Sequence, residues 1–143
     1  MKLWDILGWS IVILFLLIIL NIPVGADRKT CPYNTTGNPN ATVHIQYFGN
    51  PFCVYCLIEE PILDRLEKKY PSDLYLQRYD DRYCTEEVKQ FGITSVPGFV
   101  FTINTINKTE KIHIGFLSTD ILEGIVQESI EQNKIERGSL HER

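Results

Sequence analysis

Apolar and polar positions change their period several times along the chain, and each change marks an element. From Ile6 to Val24 the sequence is nearly uncharged, and it is unbroken in apolar character from Ile11 to Leu20. That length is close to the roughly 20 residues a bilayer-crossing helix needs. After Asn40 the pattern shortens. Ala41 to Phe48 is β-branched and aromatic, with Val43, Ile45 and Tyr47 on one face, and predicts a strand bounded by Gly49-Asn50-Pro51. Val54, Leu57, Ile58, Ile62, Leu63 and Leu66 then recur at helical spacing as far as about Lys69, with Pro61 inside as a kink. Asp73 to Tyr79 alternates and predicts a second strand. Thr85 to Phe91 predicts a short helix with Thr85 as N-cap and Gly92 at its end. Gly98 to Ile103, a turn at Asn104 to Lys108, and Glu110 to Ile114 predict a hairpin. Ser118 caps a last helix whose stripe is Ile121, Leu122, Ile125, Val126 and Ile130.

The order β, α, β, α, β, β, α predicts an α/β fold, a central mixed four-stranded sheet flanked by helices. Four segments follow: 1–26 as a transmembrane anchor or signal peptide, 27–40 as a linker rich in Thr, Asn, Pro and Gly, 41–132 as the folded domain, and 133–143 as a flexible tail. Of 143 residues about 115 remain beyond the apolar segment, enough for one small core and no second catalytic domain. A net charge of −4 offers nothing to a phosphate backbone, which excludes nucleic-acid binding as an expectation.

Length favours a retained anchor at the N-terminus. The competing reading is a signal peptide, since Pro23 ends the apolar helix and Val24-Gly25-Ala26 supplies small residues of the kind that precede a cleavage site after Ala26. Either way the domain is expected outside the cytoplasm, membrane-anchored, or secreted or periplasmic if cleaved. Sequons at Asn34, Asn40 and Asn107 agree with that compartment. So does the even count of four cysteines in a small domain behind an export segment.

Cys53 and Cys56 carry the chemistry. A Cys-x-x-Cys pair where a strand feeds a helix puts its first thiolate against unpaired backbone N–H groups and the positive end of the helix dipole, which lowers its pKa. Cys56 lies one turn further on the same face and can attack a mixed disulfide formed at Cys53. The alternatives are a structural disulfide, a metal knuckle or buried thiols. Zinc needs two more ligands, and neither Cys31 and Cys84 nor His44 and His113 are spaced to supply them, so no metal or cofactor is expected.

From about Ala41 to Gln132 the chain resembles the thioredoxin-like superfamily. The resemblance rests on Phe48-Gly49-Asn50-Pro51-Phe52 leading into Cys53-Val54-Tyr55-Cys56, on Pro61 five residues past the second cysteine, and on Val96-Pro97 before the hairpin. It implies that Pro97 is cis and faces the cysteines, with the backbone of Val96 binding the substrate peptide. Gly115 resembles a position that lets the last helix pack near the site. Tyr55 before the second cysteine resembles glutaredoxins and some isomerases, whereas Val96 resembles the periplasmic oxidase branch. One departure is Tyr47, which stands where many members bury an Asp or Glu for proton transfer. A core aromatic is its plainer reading and a hydroxyl relay the sharper one.

Once Cys53 and Cys56 are partners, Cys31 and Cys84 pair by arithmetic, a bond closing about 50 residues and contributing about 2 to 4 kcal/mol. The alternative has Cys84 relaying electrons between Cys56 and a membrane partner. The function expected is a thiol-disulfide oxidoreductase. Its partners would be exported protein thiols or disulfides and a membrane redox protein such as a quinone-linked disulfide oxidase. The rival is a redox-inert binding or assembly module of the same fold at the membrane surface.

Overall fold

The computed structural model describes residues 30–104 and 108–141. The apolar segment, the Val24-Gly25-Ala26 cleavage reading and the sequon at Asn107 lie outside the described residues. Among those described, no helix is long and apolar enough to cross a membrane.

The elements are β1 (Asn34–Gly37), β2 (Val43–Gly49), α1 (Val54–Lys69), β3 (Leu74–Asp80), α2 (Thr85–Gln90), β4 (Gly98–Ile103), β5 (Thr109–Ile114) and α3 (Thr119–His141). The sheet has five strands in the order β1-β3-β2-β4-β5. β2 and β3 are parallel, joined through α1, and the other neighbours are antiparallel.

The fifth strand corrects the four-stranded expectation. β1 comes from the lead-in assigned to a linker, and pairs Asn34 with Arg78 through Gly37 with Tyr75. Its sequence, Asn-Thr-Thr-Gly, has no apolar face, and it becomes a strand because β3 offers a free edge. The tail is corrected too. Residues 133–141 continue α3 as helix, and Asn133 is buried, donating from Nδ2 to Thr42 Oγ1 at 2.8 Å. Thr85 is the first residue of α2 and not its cap. Cys84 occupies the cap position and makes no side-chain capping bond.

Strand alternation sorts the core into two layers, as a period of two requires. Val43, Ile45 and Tyr47 of β2, Leu74 and Leu76 of β3, and Phe99 and Phe101 of β4 pack under α1 and α3, with Leu63, Leu66, Leu122 and Val126. Phe48, Tyr79 and Val100 face the other way and meet Cys84 and Ile93 beside α2.

A buried cation stitches the sheet to α1. The Arg78 side chain is 3% exposed, and its guanidinium meets Glu60 at 3.0 Å, Asp64 at 2.7 Å and Glu67 at 3.7 Å. Glu60, Asp64 and Glu67 follow at helical spacing, so one face of α1 is acidic and turned to β3. Tyr33 of the lead-in donates its hydroxyl to Glu60 at 2.8 Å, bringing the chain before β1 into the same network. Replacing Arg78 with Met removes the countercharge but leaves carboxylates that reach water. Arg78→Met is therefore expected to cost about 2 to 3 kcal/mol, read as a lower urea midpoint at unchanged m-value.

Candidate active site

The turn that delivers Cys53 is built by Asn50. Its Oδ1 accepts from Phe52 N at 2.9 Å, its Nδ2 donates to Asp81 Oδ1 at 2.8 Å, and its carbonyl accepts from Cys53 N at 3.3 Å. Asn-Pro favours such a turn, because the Asn side chain can replace a backbone partner. Helix α1 begins immediately after, with Cys53 as its N-cap in extended conformation.

The Cys53 sulfur does the work that Ser or Asp oxygen does at other helix starts. It accepts from Cys56 N at 3.1 Å, and no acidic residue lies in the first turn to oppose a negative sulfur. Cys53 and Cys56 are joined as a disulfide with Cα atoms 5.2 Å apart. Cys53 is half-buried and Cys56 buried, so a reagent arriving from solvent meets Cys53 first.

Three further features lie at the same end of the sheet, where Phe48 pairs with Gly98 and Gly98 with Ile114. Val96–Pro97 is cis, and Val96 packs against both core layers. Pro97 O accepts from Gly115 N at 2.8 Å, and Gly115 has φ +113°, a conformation that favours glycine. Tyr47 is fully buried, and its hydroxyl lies 3.4 Å from Cys56 O. A Cβ on Gly49 would come within 2.7 Å of that hydroxyl, so the small residue at the end of β2 leaves room for the large one two positions earlier.

Glu59 was not anticipated from the sequence. It is fully buried one turn beyond Cys56, its Oε1 accepts from Leu117 N at 2.8 Å, and no hydrogen-bond partner is found for its Oε2. Burial pushes its carboxyl from the ordinary 4.5 up to about 7, with Glu60 adding to the rise and the Leu117 N–H opposing it. Its place was readable only from which stripe of α1 turns inward. Cys56, Glu59, Ile62, Leu63 and Leu66 are buried, whereas Val54, Leu57 and Ile58, expected in the apolar stripe, are exposed.

No protein-family model matches the chain. A curated thioredoxin from Borreliella burgdorferi is 26% identical over 84 residues, covering 59% of this chain and 69% of the relative. Among solved structures, a thioredoxin-2 described as a component of malaria parasite protein secretion machinery is 25% identical with TM-score 0.56, covering 64% of this chain and 86% of its own. A chloroplastic thioredoxin z reaches TM-score 0.60 at 18% identity, covering 64% of this chain and 81% of its own, a likeness of fold alone.

The chain has the thioredoxin-like fold, and its sequence is similar to that of thioredoxins. The relatives support thiol-disulfide oxidoreductase chemistry in general for it. Tyr47 packs as a core aromatic against Phe99, ring centroids 5.2 Å apart, and Glu59, one turn beyond Cys56, is a buried carboxyl on α1. Cys31 and Cys84 are joined as a second disulfide, Cα atoms 5.5 Å apart, with Cys31 exposed and Cys84 fully buried in the layer beside α2. That bond ties the lead-in to the start of α2.

The raised carboxyl pKa has a definite sign. Between about pH 4.5 and about 7 the unfolded chain releases the Glu59 proton while the folded chain keeps it, so stability falls as pH rises through that window and levels above it. Glu59→Gln keeps a neutral acceptor for Leu117 N–H. Urea midpoints at pH 5 and pH 8 should show the variant losing that decline, worth on the order of 1 to 3 kcal/mol.

Proposed function

We propose that this chain is a membrane-anchored thiol-disulfide oxidoreductase that works outside the cytoplasm on exported proteins through Cys53 and Cys56. The observation that carries the reading is the half-buried Cys53 sulfur at the head of α1, accepting the Cys56 N–H and bonded to a buried partner. A sulfur so held is a good leaving and attacking group, because its thiolate is stabilised by backbone dipole.

In the oxidising direction a client thiolate attacks Cys53 Sγ, the Cys53–Cys56 bond breaks, and its electron pair leaves on Cys56. A second client thiolate then attacks the client sulfur of the mixed disulfide and releases Cys53 as thiolate. The client gains a disulfide and the pair gains two electrons; reduction of a client is the same sequence reversed. Glu59, on the Cys56 side of α1 and carrying a proton over part of the neutral range, is the buried acid that can supply it to the departing Cys56 thiolate. Val96 and the cis Pro97 offer backbone to the client peptide. A membrane redox protein, such as a quinone-linked disulfide oxidase, resets the pair. The anchor at Ile6 to Val24 keeps the domain near that partner and raises its effective concentration.

Equilibration of the full-length chain in glutathione buffers tests this reading, with Cys53→Ala/Cys56→Ala reporting the separate contribution of Cys31–Cys84. A potential of about −120 to −180 mV marks an oxidase or isomerase, and one near −270 mV a reductant. In the Cys56→Ser variant, mixed disulfides with a thiol client should accumulate at Cys53. A pair that never exchanges with glutathione would leave the inert binding module in its place.

A further inference from the structure

The chain enters the described fold at the end that carries the redox pair. β1 runs antiparallel to β3, so Asn34 starts beside Arg78, and Cys31 is bonded to Cys84 just past the end of β3 at Asp80. Gly49 pairs with Asp80, and Phe48 with Gly98, which brings the Cys53 turn and cis Val96–Pro97 to the same end. Ile114 pairs with Gly98, so Gly115-Phe116 emerges there as well. Six residues separate Val24, where the apolar segment stops, from the bonded Cys31. Fully extended they reach about 25 Å.

That end is also where exposed apolar surface collects. Phe52 is 80% exposed and Tyr55 61%, joined by Val54, Leu57, Ile58 and Phe116. The Tyr55 and Phe116 rings lie 6.0 Å apart, bridging the head of α1 to the segment before α3. The remaining exposed large apolar side chains among the described residues are Tyr83, Ile112, Ile114, Ile121 and Ile135. The Arg82 guanidinium sits 5.0 Å from the Phe52 ring and 5.1 Å from Tyr83, an aromatic and cationic mixture of the kind found at headgroup level. The Arg82 guanidinium is already paired with Asp80 at 2.6 Å, so attraction to anionic lipid is not what would hold this surface.

We propose that this apolar rim seats on the membrane surface, so that the tethered domain presents Cys53 to cysteines held at headgroup level. The inference rests on reading Ile6 to Val24 as a retained anchor. A short tether arriving at the redox end brings that end toward the bilayer. Burial of the rim in the interface then removes from water the surface that the fold leaves bare.

The test uses the full-length chain with Trp4→Phe and Trp9→Phe, reconstituted in phosphatidylcholine vesicles with brominated acyl chains. A single tryptophan is introduced as Phe52→Trp or Tyr55→Trp at the rim, or as Ser72→Trp at the opposite end of the sheet. Brominated lipid should quench both rim reporters several-fold more than Ser72→Trp. Equal, weak quenching in chains that float with the vesicles overturns the contact while leaving the anchor in place. A rim reporter that ignores the lipid but responds to an added cysteine-free unfolded polypeptide also overturns it, in favour of a client-binding surface. Chains that do not float remove the anchor reading and this inference with it.

Discussion

Every helix begins with backbone N–H groups that have no partner inside the helix, and at the head of α1 the Cys56 N–H is met by the sulfur of Cys53. Much of the surrounding structure serves that junction. Asn50 shapes the turn that brings Cys53 to the cap position, Gly49 leaves space for the Tyr47 hydroxyl, and Tyr47 in turn approaches the Cys56 carbonyl. Because β2 is the central strand, paired on both sides, the platform under the cysteines is among the best supported backbone in the molecule.

Helix α1 also shows how differently two buried charges are handled. Arg78 has lost nearly all contact with water, yet three carboxylates from α1 surround it, and each of those keeps access to solvent. Glu59, on another side of the same helix, has a single N–H to receive and a neighbouring carboxylate that repels. The cation can remain charged, whereas the acid retains its proton into the neutral range. One helix therefore holds a structural ion network on its β3 side and a buried carboxyl of raised pKa on its Cys56 side.

A third side of α1 is apolar and bare. Val54, Leu57 and Ile58 face outward beside Phe52, and the same end of the sheet receives the lead-in through Cys31–Cys84. The lead-in is integrated by three means: its disulfide, its pairing with β3, and the Tyr33 bond to Glu60. The direction in which the domain presents its redox pair is in this way coupled to the path by which the chain enters it.

The local code was sufficient for what depends on neighbours a few residues away. Alternation in Ala41 to Phe48 and Asp73 to Tyr79, the helical spacing after Cys53, and the hairpin around Asn104 gave the strands and helices. The Cys-x-x-Cys at a strand-helix junction, with Val96-Pro97 downstream, gave the resemblance to the thioredoxin-like superfamily. Tertiary structure decided what local periodicity leaves open. A polar Asn-Thr-Thr-Gly became a strand because β3 had an unpaired edge, and α3 ran on past Gln132 because Asn133 found Thr42. Leu57 and Ile58 turned outward and Glu59 inward because a helix rotates as a body. The large contacts of Cys56, Leu63 and Leu66 with the sheet set that rotation for the weaker residues between them.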